Sequence, residues 1–198
     1  MSDFRITIVG LGATGASIGL ALKEADRELC IVGHDREPAA AAAARKAGAV
    51  DRTEWNLPAA CRGSQLVILA LPLAALRDTL GAIAQDLEPG CLVTDTAPLK
   101  VPVLAWAREL LPAGVDFVGG DPLFARGAQA APSAGLFNGV TYCFCPAPGA
   151  SERALERAAD LAQAVGATPR FLDPVEHDGL VAALDEMPFL LAAAALQA

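Results

Sequence analysis

Six residues near the start of the chain are spaced to hold a diphosphate. Gly10-Leu11-Gly12-Ala13-Thr14-Gly15 follows a short β-branched run, residues 4–9, and precedes a run of helical composition, residues 16–23. Each glycine has a separate task. Gly10 permits a tight turn out of the strand. Gly12 has no Cβ, so the backbone can approach a pyrophosphate. Gly15 lets the helix pack close to the sheet, and the helix start offers N–H groups to the phosphates. Asp35 lies twenty residues after Gly15, at the end of a second apolar run, residues 29–33. A carboxylate there can accept hydrogen bonds from ribose hydroxyls and repels a 2′-phosphate, which favours NAD over NADP. Arg36 works the other way, because a guanidinium welcomes a phosphate. A glycine-rich turn in another kind of α/β protein explains neither Gly15 nor Asp35.

Other reactive side chains fall at the ends of later apolar runs. Leu71-Pro72 closes the run 66–70, Asp95 ends the run 91–94, and Asp121 follows Gly119-Gly120. Lys100 could meet a phosphate or a carboxylate, or be a solvated residue at a helix start. His177 reads as an ordinary hydrogen-bonded helix histidine before a general base. His34, beside the ribose acid, reads as a spectator. The expected cofactor residues are therefore Gly10, Leu11, Gly12, Ala13, Thr14, Gly15, Asp35, Arg36, Leu71, Pro72 and Asp95, with no metal.

The elements that must position these residues alternate. Strands are expected near 4–9, 29–33, 49–51, 66–70, 91–94, 116–118, 140–145 and 168–172. Helices are expected over 16–23, 37–48, 73–87, 101–111 and 152–165, with a loop over 123–138. Alternation of this kind means an α/β fold: a Rossmann-type, doubly wound, mainly parallel sheet. Such sheets bind ligands beyond the carboxyl ends of their strands, where the acids and glycines above converge. The segment 187–198 reads as a helix that is apolar all round, which must be covered by something.

Bulk properties narrow the partners. The 198 residues are 54% hydrophobic and carry a net charge of −8, which disfavours nucleic acid and offers no polybasic membrane patch. Five cysteines without C-x-x-C spacing argue against a disulfide framework or a zinc site and for reduced thiols in the cytoplasm. No leader peptide or bilayer-length apolar stretch is evident.

Several blocks together resemble one family, the prephenate and arogenate dehydrogenases. They are Gly10–Gly15, His34-Asp35-Arg36, Ala70-Leu71-Pro72, Thr94-Asp95-Thr96-Ala97-Pro98-Leu99-Lys100, Val118-Gly119-Gly120-Asp121-Pro122-Leu123 and Asp173-Pro174-Val175-Glu176-His177-Asp178. The resemblance implies a dinucleotide-binding domain over 1–172 and, over 173–198, the start of a helical dimerisation and substrate domain, truncated or vestigial. It implies an NAD-dependent oxidoreductase of tyrosine biosynthesis, passing hydride to nicotinamide with loss of carbon dioxide from a prephenate-like acid. It also implies a homodimer through the C-terminal helix.

The chain departs from the family at chemical positions. Pro98 stands where the family has a serine, and Asp121 where it has the histidine that accepts the substrate's hydroxyl proton. Asp185-Glu186-Met187-Pro188-Phe189 replaces a histidine-bearing block, and the family's carboxylate-binding arginine falls beyond residue 198. Asp121 is thus the candidate catalytic residue, open to a second reading as a loop residue before Pro122. Aspartate, ordinarily near pH 3.9, is a weaker base than histidine and repels an anionic substrate. The expectation is that the 198-residue chain alone does not turn over prephenate. Two other functions stay open: a catalytically silent dinucleotide-binding module or sensor, and a related dehydrogenase with another substrate, including the β-hydroxyacid type.

Overall fold

A computed structural model describes residues 4–124 and 131–196. Eight strands form one sheet: β1 (Arg5–Val9), β2 (Cys30–His34), β3 (Arg52–Thr53), β4 (Leu66–Leu69), β5 (Leu92–Asp95), β6 (Asp116–Leu123), β7 (Thr141–Pro146) and β8 (Thr168–Phe171). Their spatial order is β3-β2-β1-β4-β5-β6-β7-β8. The first six strands are parallel, with the reversal of winding between β1 and β4, as in a Rossmann fold. β7 runs antiparallel to β6, and β8 runs parallel to β7. Sequence alternation alone does not distinguish this reversed pair from a continued parallel sheet.

Strand alternation divides the core into two layers. Ile6, Ile8, Leu66 and Ile68 face one side, together with α1 (Ala13–Ala25) and α6 (Glu152–Ala164). Val67, Leu69 and Val93 face the other, beneath α4 (Leu73–Ile83) and α5 (Val101–Leu110). Both faces of the central strands are covered, which is why these strands read as unbroken apolar runs. The remaining helices are α2 (Pro38–Lys46), a short α3 (Leu57–Cys61) that the sequence reading lacks, α7 (Pro174–Val181) and α8 (Met187–Ala195). A π-helical stretch, Ala182–Glu186, joins α7 to α8.

Several boundaries differ from expectation. α1 begins at Ala13, so Thr14 and Gly15 lie within its first turn. β3 is at Arg52–Thr53, after the expected 49–51. β6 extends through Gly119, Gly120 and Asp121 to Leu123, because β7 supplies a full set of antiparallel partners. Asp121 is therefore a strand residue opposite Cys143, and the turn-capping reading is wrong. The expected loop 123–138 contains a 3-10 turn, Ala134–Phe137, held on α1 where the Ser133 N–H donates to Ser17 Oγ at 2.9 Å. The middle of that loop lies outside the described residues.

Candidate active site

The glycine loop after β1 is shaped by contacts that only glycine allows. Gly10 has φ +90°, and a methyl there would lie 2.3 Å from the Ala70 carbonyl oxygen. A methyl on Gly15 would lie 1.9 Å from the Gly10 carbonyl oxygen. Gly12 is different. Its backbone is extended, it is the N-cap of α1, and a methyl on it would meet nothing within 4 Å. The fold does not need a glycine there, but a closely approaching ligand does.

Asp35 sits across from this loop and fixes it. Its Oδ2 accepts from the Leu11 N–H at 2.7 Å, and its Oδ1 from the Glu37 N–H at 2.8 Å. Arg36 is solvent-exposed. Beyond it, Arg45, Lys46 and the 85%-exposed Trp55 line a shallow cavity of about 700 Å³ with Asp35. The last three were not singled out in the sequence, where nothing ties them to Asp35.

A larger cleft of about 960 Å³ opens at the carboxyl ends of the central strands. Thr14 of α1, Leu71 and Pro72 after β4, and Thr96 and Pro98 after β5 form one side. Asp121, Cys143, Leu172, His177 and Leu184 form the other. Burial, with Asp121 beside it, pushes the Cys143 thiol up to about 11, so it is no thiolate nucleophile.

Asp95 and Lys100 are not on the cleft surface. Both are fully buried, and Lys100 Nζ donates to Asp95 Oδ2 and to the Gly120 carbonyl, each at 2.6 Å. The Ala97 and Gly120 N–H groups also donate to the Asp95 carboxylate. Burial pushes the Asp95 carboxyl up, while the Lys100 ammonium and these N–H groups draw it back down. Asp95 therefore holds the cleft floor, with no oxygen presented to a ligand. Lys100 is neither a solvated helix-start residue nor a phosphate ligand. Gly119 and Gly120 make room for the pair: a methyl on Gly120 would lie 2.6 Å from the Asp95 carbonyl oxygen, and one on Gly119 3.1 Å from Lys100 Cδ.

Asp121 and His177 meet in the cleft wall. His177 Nε2 lies 3.3 Å from Asp121 Oδ2, and its Nδ1 lies 2.9 Å from Asp178 Oδ1. The Asp178 carboxylate also accepts from the Lys100 and Val101 N–H groups at the start of α5. Burial lowers the His177 pKa, but the Asp121 and Asp178 carboxylates outweigh it, so the ring titrates above its ordinary 6.5. His34, by contrast, pairs its Nδ1 with the Glu54 carbonyl, away from the cleft.

The model of the family described as "Prephenate dehydrogenase, nucleotide-binding domain" matches residues 18–170. The chain belongs to the prephenate dehydrogenase family. It is 30% identical over 191 residues to the prephenate dehydrogenase of Bacillus subtilis, covering 95% of this chain and 52% of that protein. It is 31% identical over 192 residues to the prephenate dehydrogenase of Lactococcus lactis, with coverage of 95% and 52%. The chain thus spans about half the length of these curated relatives. Its fold superposes with a TM-score of 0.87 on Synechocystis arogenate dehydrogenase, at 25% identity, covering 98% of this chain and 68% of that one. It matches equally well the prephenate dehydrogenase of A. aeolicus crystallised with hydroxyphenyl propionate and NAD+, at 21% identity, covering 100% of this chain and 69% of that one.

Proposed function

We propose that this chain is the cofactor-binding part of an NAD-dependent dehydrogenase that oxidises a prephenate-like hydroxy acid. The observation that carries the reading is Gly12. The loop keeps a glycine where the fold has no use for one, at the open start of α1 and two residues before Thr14, which lines the cleft. A pyrophosphate fits that place, with Gly10–Gly15 as its cradle and Asp35 toward the ribose. Leu71 and Pro72 lie farther along the cleft, toward Asp121. A bound nicotinamide supplies the hydride acceptor for such a reaction. Asp121 meets the substrate's hydroxyl, and Thr96 and Pro98 bound the space opposite. The division into a dinucleotide domain over 1–172 and a helical unit from 173 onward belongs to the same reading.

Asp121 and Pro98 favour a second substrate within the same chemistry, because they alter the places where the family resemblance puts a histidine and a serine. Five free cysteines support a reducing, cytoplasmic setting. The net charge of −8 gives no support to nucleic-acid binding. Among the described residues no helix is long and apolar enough to cross a membrane. A second copy covering α8 is the partner this reading calls for.

Calorimetric titration of the full-length protein with NAD(H) is the test. Gly12→Val should weaken binding about 100-fold or more while leaving the unfolding midpoint little changed, since the new side chain fills ligand space and its Cβ would lie in open space. Normal binding by the folded variant would refute the cradle. NAD(H) binding without oxidation of prephenate, arogenate or related hydroxy acids would point to the silent module.

A further inference from the structure

Asp121 and His177 come from distant parts of the chain and differ in what they can reach. The Asp121 side chain is 10% exposed at the cleft, and the His177 ring, at 1%, stands behind it. Asp178 fixes the ring's tautomer. Its Oδ1 accepts from the Lys100 N–H at 2.7 Å and its Oδ2 from the Val101 N–H at 3.0 Å, so both of its oxygens act as acceptors. His177 Nδ1, 2.9 Å from that Oδ1, must carry a hydrogen and donate it. The ring's variable position is then Nε2. That atom is buried, lacks an aligned hydrogen-bond partner, and lies 3.3 Å from Asp121 Oδ2. With both groups unprotonated, a ring lone pair would face a carboxylate oxygen in a weakly screened site; one shared proton removes the repulsion. Long, poorly aligned contacts of this kind are common before a substrate binds. Anchoring α7 does not require this contact, because the Asp173 side chain caps the helix and Asp178 ties it to α5.

We propose that Asp121 and His177 act as one proton acceptor, Asp121 meeting the substrate's hydroxyl and His177 storing the proton behind it. This rests on the dehydrogenase reading of the cleft. The substrate's O–H bond breaks and its proton goes to the Asp121 carboxylate, which delivers a proton from Oδ2 to His177 Nε2. The carbon's C–H electron pair leaves as hydride for the nicotinamide, and the C=O bond forms. The alcohol loses two electrons, the nicotinamide gains them, and one proton remains on His177. Asp121 touches the substrate, and His177 is a positioning residue that acts through it. The pair answers both weaknesses of an aspartate in this place. The imidazole supplies the missing basicity, and once protonated it offsets the carboxylate's charge.

Among the described residues, the charged and titratable groups facing the pair are Asp178 of α7, Lys100 with its partner Asp95, and Cys143 and Tyr142 of β7. Burial and Lys100 lower the His177 titration, the two carboxylates raise it, and the net direction is upward. The accepting form is the one without the shared proton, so it fills in as pH rises through that titration. NMR titration of the His177 ring in the full-length protein should show it above pH 6.5, falling by about one pH unit in Asp121→Asn. The pH profile of kcat should have its acid limb at the same place. In His177→Gln, kcat should fall about 100-fold and the limb should leave the histidine range, with KM little changed. A ring titration unmoved by Asp121→Asn overturns the proposal. So does a His177→Gln variant that loses rate without moving the limb, which is what a purely structural role would give. Wild-type turnover with an unmoved ring titration would sink the pair and leave the dehydrogenase reading. A ring titration that moves in a protein inert toward hydroxy acids would sink the reading and leave the pair.

Discussion

Asp35 has two duties at once. Its carboxylate secures the glycine loop through the Leu11 N–H, and it is the acid proposed to meet the ribose. Removing it therefore loosens the loop as well as deleting a ligand contact. A hydrogen bond to a charged group contributes about 1.5–3 kcal/mol. Asp35→Ala should accordingly weaken NAD(H) by about tenfold or more and narrow its advantage over NADP(H), because Arg36, Arg45 and Lys46 remain nearby. Parallel titrations with both cofactors measure this, and an unchanged ratio would remove Asp35 from the selectivity account. The glycines were legible at this scale because their spacing between a strand and a helix is a local pattern, although the contact that demands Gly10 comes from distant Ala70 and only Gly15 meets a near neighbour, the Gly10 carbonyl. The Asp121–His177 contact was not, because β6 and α7 meet only after the sheet has formed. The block 173–178 was visible, but nothing in the sequence aimed its His177 at Asp121.

At the scale of elements, β5, β6 and α5 are joined by a buried charge pair. Lys100 has no solvent exposure, and its ammonium reaches Asp95 on one strand and the Gly120 carbonyl on the next. Taking one partner away strands the other in an apolar interior. Lys100→Met should cost about 3–5 kcal/mol, more than an ordinary core substitution. Urea unfolding of the variant is the measurement. The double variant with Asp95→Asn should recover part of the loss, and a single variant within about 1 kcal/mol of wild type would show that Asp95 finds another partner. The sequence placed Asp95 at its strand end correctly and misjudged its side chain. A residue at the carboxyl end of a strand faces the ligand only if no buried cation claims it first.

For the molecule as a whole, α8 is the unfinished surface. Phe189, Leu190 and Leu191 are each more than 60% exposed, and no α8 residue is buried. The expectation that such a helix must be covered excludes one answer here, since among the described residues α8 packs on no part of the sheet. Apolar patches of this extent mark interaction surfaces. Light scattering should show the 198-residue chain as a dimer, and removal of residues 187–198 should make it a monomer. A monomer both with and without those residues would show that α8 carries no contact between copies.

Strand and helix periods, the glycine loop with its acid, and the alternating order of elements are signals written as residue type and spacing along the chain. They determined the Rossmann architecture and the position of the glycine loop in which the cofactor cradle is proposed. Their order also carried the family resemblance. What the tertiary structure decided were the long-range charge partnerships: Lys100 with Asp95, and His177 with Asp121. Those depend on which side chains share one buried volume of low dielectric, and sequence spacing does not encode that once the partners lie on elements brought together by the fold.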